Sequence, residues 1–186
     1  EVSRIAGEMN AMLAKRGLPN GSIGERMTAL AQDKRNQFAD SDAGRRALLD
    51  YVRGKVRAAE ARYADFLPAD LIPRQSLVVK RVPIATQAGA PGGYYDGPSL
   101  DGARPGTYWI NLRDMAAVAK FRLPTLSYHE GVPGHHTQGA IAAALGEAPT
   151  LVRIASFNAY QEGWALYAER FMAELGAYAD DSLGDL

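Results

Sequence analysis

The chain contains no cysteine. Disulfides and thiolate metal sites are excluded, and any metal must be held by nitrogen and oxygen. Neither charge is in excess: 21 Lys and Arg stand against 21 Asp and Glu. That balance argues against a nucleic-acid partner and against an acidic membrane surface. No apolar run approaches the ~20 residues of a membrane-spanning helix. No secretion leader is visible either, but the chain opens on Glu1 in mid-pattern, so this says little about location. Histidine is scarce, with three in all. What remains is ordinary for a soluble globular protein: 186 residues, 47% hydrophobic and 23% charged. That is enough for a single domain, or for the central part of a longer one.

Taken in order, residues 1–67 read as a helical section. Val2, Ile5, Met9 and Leu13 mark a first helix, which Gly17 would stop. Ser22 and Glu25 form a capping-box pattern ahead of Ile23, Met27 and Leu30. A long third helix runs from Ser41 or Asp42 to about Phe66, with a stripe of Leu48, Val52, Val56, Ala59, Tyr63 and Phe66. Its other face carries Arg45, Arg53, Arg57 and Arg62 and reads as solvated.

Residues 76–112 hold short strands and a loop rich in glycine and proline. Ser76–Val82 and Thr107–Leu112 are strand-like, and Tyr94-Tyr95 lies in the stretch between them. Residues 114–178 return to helix, with Pro124 in the first turn of one helix and a last long helix from about Phe157 to Tyr178. Gly146 to Pro149 turns the chain before it, and Asp180-Asp181-Ser182 looks like the cap of a further helix. The expected fold is mainly α: a helical domain with a small antiparallel β-sheet beside the helices that carry the histidines.

All three histidines fall in Tyr128-His129-Glu130-Gly131-Val132-Pro133-Gly134-His135-His136-Thr137-Gln138. A His-Glu pair with a second histidine on the same face is how a helix offers two imidazoles to zinc and a carboxylate to the attacking water. The usual spacing places the histidines at i and i+4. Here the second stands at i+6 or i+7, rises of about 9 and 10.5 Å on an unbroken helix. Pro133-Gly134 lies between them, and a break there would bring the later histidine back. His135 needs less chain looped out than His136.

A third ligand is required. The final helix contains Glu162 and Glu169, two turns apart on one side. Tyr160, Trp164, Tyr167 and Phe171 form an aromatic stripe on the same helix, expected to be core packing.

These two motifs, Y-H-E-x-x-P-G-H-H-x-Q and E-G-W-A-x-Y-x-E, resemble bacterial domain-of-unknown-function family 885. Arg104-Pro105-Gly106 leading into Tyr108-Trp109-Ile110-Asn111 is similar to that family's strand before the motif helix. The layout also resembles the gluzincin metallopeptidases, in which a glutamate ligand follows the histidine helix; Glu162 comes 27 residues after His135. The resemblance implies a zincin-like fold and one zinc ion held by His129, His135 and Glu162; His136 is the alternative to His135 and otherwise supports a ligand or faces the substrate. It implies that Glu130 is the general base of peptide hydrolysis and that Glu169 or Asn158 supports a ligand. Asn111 would sit on an edge strand against which an extended peptide or peptide-like substrate lies, and Tyr94 and Tyr95 would line the cleft. Family members extend beyond this chain at both ends, and many carry secretion signals, which implies a periplasmic or exported location. The alternative is a non-catalytic helical domain whose metal is structural or absent; His136 as a fourth ligand would favour it. Gluzincin-like enzymes commonly bring an oxyanion donor from later helices, so this segment is expected to be a weak catalyst alone.

Overall fold

The computed structural model describes residues 2–99, 101, 103–144, 149, 151, 157–179 and 183–184. Helices dominate. α1 (Val2–Lys15) and α2 (Ile23–Gln32) pack together, with Gly17 at φ +79° between them. The capping box is present: the Ser22 amide donates to Glu25 Oε2 at 2.8 Å, and the Glu25 amide donates to Ser22 Oγ at 3.3 Å. α3 (Asp42–Glu60) starts at Ser41, whose Oγ accepts from the Gly44 amide at 3.0 Å.

The predicted stripe of α3 is the centre of the core. Leu48, Val52, Val56 and Ala59 are buried, and they join Val79, Tyr108, Ile110 and Met172 in one cluster. The helix does not run through to Phe66. The Arg62 amide bonds the Ala59 carbonyl at 3.0 Å, a tightened last turn, and a separate α4 (Tyr63–Phe66) follows. The solvated arginine face is as expected at Arg57, which is exposed, but not at its neighbours. Arg45, Arg53 and Arg62 donate to the carbonyls of Leu112, Val79 and Leu175 at 3.0, 3.1 and 3.0 Å. Their aliphatic stems lie along the protein while the guanidinium groups satisfy carbonyls that lack a strand or helix partner.

The sheet has three strands, β1 (Val78–Arg81), β2 (Gly93–Asp96) and β3 (Thr107–Ile110), in the order β1-β3-β2. β2 runs antiparallel to β3 and β1 runs parallel to it, so the sheet is mixed where an antiparallel one was expected. β3 is the central strand, not the edge. The reason lies in its burial: Thr107, Tyr108 and Ile110 are all covered, as in a strand flanked on both sides. The loop rich in glycine and proline supplies one of the flanking strands, because it contains β2.

α5 (Leu123–Glu130) packs on α3, β2 and the last described long helix. α6 (His135–Ala144) follows it, and α7 (Asn158–Glu174) contacts both. α7 corrects another expectation. Tyr160 is 67% exposed and Tyr167 54%, while Ala165, Ala168 and Met172 are buried. Small residues, not the aromatic stripe, make the inner face, and they let α7 lie close to α5. The predicted turn at Gly146 to Pro149 and the predicted cap at Asp180-Asp181-Ser182 fall wholly or largely outside the described residues. Among those residues no helix is long and apolar enough to cross a membrane.

Candidate metal centre

α5 stops at Glu130 because its hydrogen-bond ladder slips. The amides of Gly131 and Val132 both donate to the Ser127 carbonyl, at 3.0 and 3.3 Å. The Gly134 amide then reaches back to the Tyr128 carbonyl at 2.9 Å, and α6 begins at the next residue. Gly134 is pressed against the end of α5. A Cβ there would lie 1.9 Å from the His129 carbonyl oxygen and 2.3 Å from that of Tyr128. Only glycine fits. From α7, the Trp164 indole N–H donates to the Pro133 carbonyl at 2.9 Å and fixes the loop from the other side.

This break brings two histidines together. The rings of His129 and His135 stand 4.8 Å apart at 85°. Glu162 of α7 faces both, with Oε2 3.3 Å from His129 Nε2 and Oε1 3.8 Å from His135 Nε2. One donor atom from each of the three residues lies within 4.8 Å of the others. Two imidazole nitrogens and a carboxylate form a donor set that suits zinc. At typical zinc bond lengths, donors around one tetrahedral ion are roughly 3.3–3.5 Å apart, so these side chains fit an ion with small adjustments.

Glu169, two turns along α7 from Glu162, places Oε1 2.6 Å from His129 Nδ1. A carboxylate only accepts, so a proton sits on Nδ1, and Nε2, facing Glu162, is the nitrogen left to bind an ion. The bond to Glu169 raises the His129 pKa, opposed by burial. Burial lowers that of His135, helped by the charge of His129. Glu130 is buried, and its carboxyl is pushed up mainly by that burial; His129 and the Tyr95 backbone N–H pull it back.

His136 points elsewhere. It is 1% exposed, its Nε2–H donates to the Gln75 carbonyl at 3.2 Å, and its Nδ1 accepts from the Tyr95 hydroxyl at 3.3 Å. Burial lowers its pKa to about 4, so it is neutral. Tyr95 lies against both neighbouring histidines, stacked on His135 at 6.4 Å and edge-on to His136 at 5.8 Å. Tyr94 instead stacks on Trp109. Asn111 is turned to its own loop, where its Nδ2 donates to the carbonyls of Gln87 and Ala90 at 2.8 and 3.0 Å. Asn158 is exposed at the first residue of α7.

The structure thus brings His129, His135, Glu162, Glu169, Glu130, Tyr95 and His136 into one neighbourhood, and leaves Asn111, Asn158 and Tyr94 out of it. Sequence reasoning missed the bond from Trp164 to Pro133 and the Gln75 carbonyl that holds His136. Neither is signalled by residue type.

Compared with known proteins, the chain matches over residues 1–186 the sequence model of a family described as "Bacterial protein of unknown function (DUF885)". No curated protein matches it. Among solved structures it is similar to "the putative lipoprotein from Colwellia psychrerythraea", with 48% identity and a TM-score of 0.94. That likeness covers 99% of this chain and 31% of the other, so the chain spans about a third of that relative's length.

Proposed function

This chain belongs to the DUF885 family of bacterial proteins of unknown function, and we propose that it carries the metal centre of a zinc-dependent hydrolase acting on peptide bonds. One observation carries the reading: His129, His135 and Glu162 converge from three helices within 4.8 Å, with Glu130 next to the first of them. When bound, zinc would supply Lewis-acid polarisation of the substrate carbonyl and acidify the attacking water.

Glu130 is the general base. Its carboxylate takes a proton from the water as the water oxygen bonds to the acyl carbon. It returns that proton to the nitrogen as the C–N bond breaks. Burial raises its proton affinity toward the range in which both transfers are efficient. Glu169 orients His129 through Nδ1, and Tyr95 holds its backbone N–H toward Glu130 and its ring against His135. His136 is occupied by Gln75 and Tyr95, which supports a three-residue set with room for water over a closed four-residue set. The relative described as a lipoprotein supports an exported location.

The test is zinc content and peptide hydrolysis of paired variants. Glu162→Ala is expected to lose zinc, and Glu130→Gln to keep zinc while hydrolysis falls at least 100-fold. A Glu162→Ala chain that retains the full zinc content of the parent, or a Glu130→Gln chain as active as the parent, overturns the reading.

A further inference from the structure

A cavity of about 390 Å³ opens directly beside His129 and Glu130. Met27, Phe121, Leu126 and Leu183 give it apolar walls. Its polar groups are mostly committed. The Thr125 hydroxyl bonds the Tyr178 hydroxyl at 2.8 Å and the Gly184 carbonyl at 2.9 Å, and Glu169 holds His129. Arg122 is different. Its guanidinium lies 5.7 Å from the centre of the Phe121 ring, and among the described residues it forms no ion pair or hydrogen bond. It is an exposed cation on the wall of this cavity, with no carboxylate of its own among the described residues.

Arg122 also stands at a defined backbone interval from His129. It is the N-cap residue of α5, seven residues before His129, about two turns along the same side and a backbone rise of about 10.5 Å. Thr125 and Leu126, three and four residues on, line the same cavity between them. An extended peptide advances about 3.3–3.6 Å per residue. The interval therefore matches one or two residues plus a contact between carboxylate and guanidinium.

We propose that this cavity binds the C-terminal end of the substrate, with an apolar side chain against Phe121 and Leu126 and the free α-carboxylate on Arg122. The inference rests on the hydrolase reading and narrows it: the bond cut lies one or two residues from a free C-terminus. Guanidinium suits the task, since its planar fork meets a carboxylate with two parallel hydrogen bonds. The carboxylates of Glu130 and Glu169 at the other end of the cavity repel a ligand bound in reverse.

The test uses the zinc-free chain, so that a carboxylate cannot bind through metal. N-acetyl-L-leucine and N-acetyl-L-leucinamide are titrated separately and followed by NMR shifts of the Leu126 methyl groups. The acid is expected to bind at least tenfold more tightly than the amide, and Arg122→Gln is expected to bring the ratio close to one with the fold unchanged by circular dichroism. Equal affinity for acid and amide, binding of neither, or a ratio untouched by Arg122→Gln overturns the proposal. Zinc uptake by the same preparations reports separately on His129, His135 and Glu162. A chain that prefers the acid but takes up no zinc keeps the carboxylate site and loses the hydrolase.

Discussion

Replacing Glu169 probes the metal centre without touching an expected ligand. Its Oε1 lies 2.6 Å from His129 Nδ1, at the short end for a hydrogen bond from nitrogen to a charged oxygen. Neutral imidazole carries one proton, and this bond keeps it on Nδ1. Without the carboxylate the proton can move to Nε2, which lies 3.3 Å from Glu162 Oε2 and would then donate to it. That arrangement must be undone before an ion can bind. Losing a partner of this kind typically weakens metal affinity about 10- to 100-fold, or roughly 1.4–2.7 kcal/mol. The Glu169 side chain is 26% exposed, so solvent screening places Glu169→Ala toward the lower end, near tenfold. Glu169→Gln keeps an acceptor oxygen but loses the charge, and its loss is expected to be smaller. Zinc affinity measured by competition with a chelator of known strength decides the matter, with circular dichroism confirming that the helices persist. An alanine variant that binds zinc within twofold of the parent, or a glutamine variant weaker than the alanine one, refutes the argument.

Gly134→Ala places a Cβ against two carbonyl oxygens at 1.9 and 2.3 Å, so the loop must move. The expected cost is about 1–3 kcal/mol, a fall of several degrees in Tm together with weakened zinc binding; an unchanged Tm would contradict the packing described. His135→Ala is expected to lose zinc. His136→Ala is expected to keep it but to be destabilised by about 1–3 kcal/mol, because the Gln75 carbonyl and Tyr95 hydroxyl lose their partner; equal zinc retention in both variants argues against the assignment. Tyr160→Ser, at a site 67% exposed, is expected to change stability by no more than about 0.5 kcal/mol, as read from urea denaturation.

Some of this architecture is written locally. The stripe from Leu48 to Tyr63, the Ser22–Glu25 cap and the break at Pro133-Gly134 depend on neighbours within a few residues, and periodicity or backbone chemistry reveals them. The order of the strands does not follow from any one strand. β3 is central because Val78–Arg81 and Gly93–Asp96 both find it, and pairing partners are chosen across the whole sheet. On α7 the large aromatics suggested a buried face, yet side-chain volume is not burial. Ala165 and Ala168 permit the close approach that puts Glu169 within hydrogen-bond reach of His129, and wider side chains would hold the helices apart. The arginines on α3 and just after it misled for a similar reason. Their charge suggested water, while the carbonyls they bond belong to residues as far away in sequence as Leu112 and Leu175. The histidine cluster was readable as a set of donors. Which histidine turns inward to Gln75 was not, because that carbonyl lies about sixty residues upstream.

The slip in the ladder after Glu130 has a consequence for when the centre can exist. Two histidines at i and i+4 on one helix have their spacing as soon as that helix forms. His129 and His135 are on separate helices, and their 4.8 Å spacing depends on Gly134 settling on the end of α5 and on Trp164 reaching Pro133 from α7. A compact state with its helices intact but its side chains unfixed would hold the same residues and bind metal poorly. Affinity for the proposed ion would therefore be a reading of tertiary order, not of helix content. On the proposed reading, the nascent chain does not load metal at Tyr128–Gln138 alone; loading waits until α7 has been made and has docked.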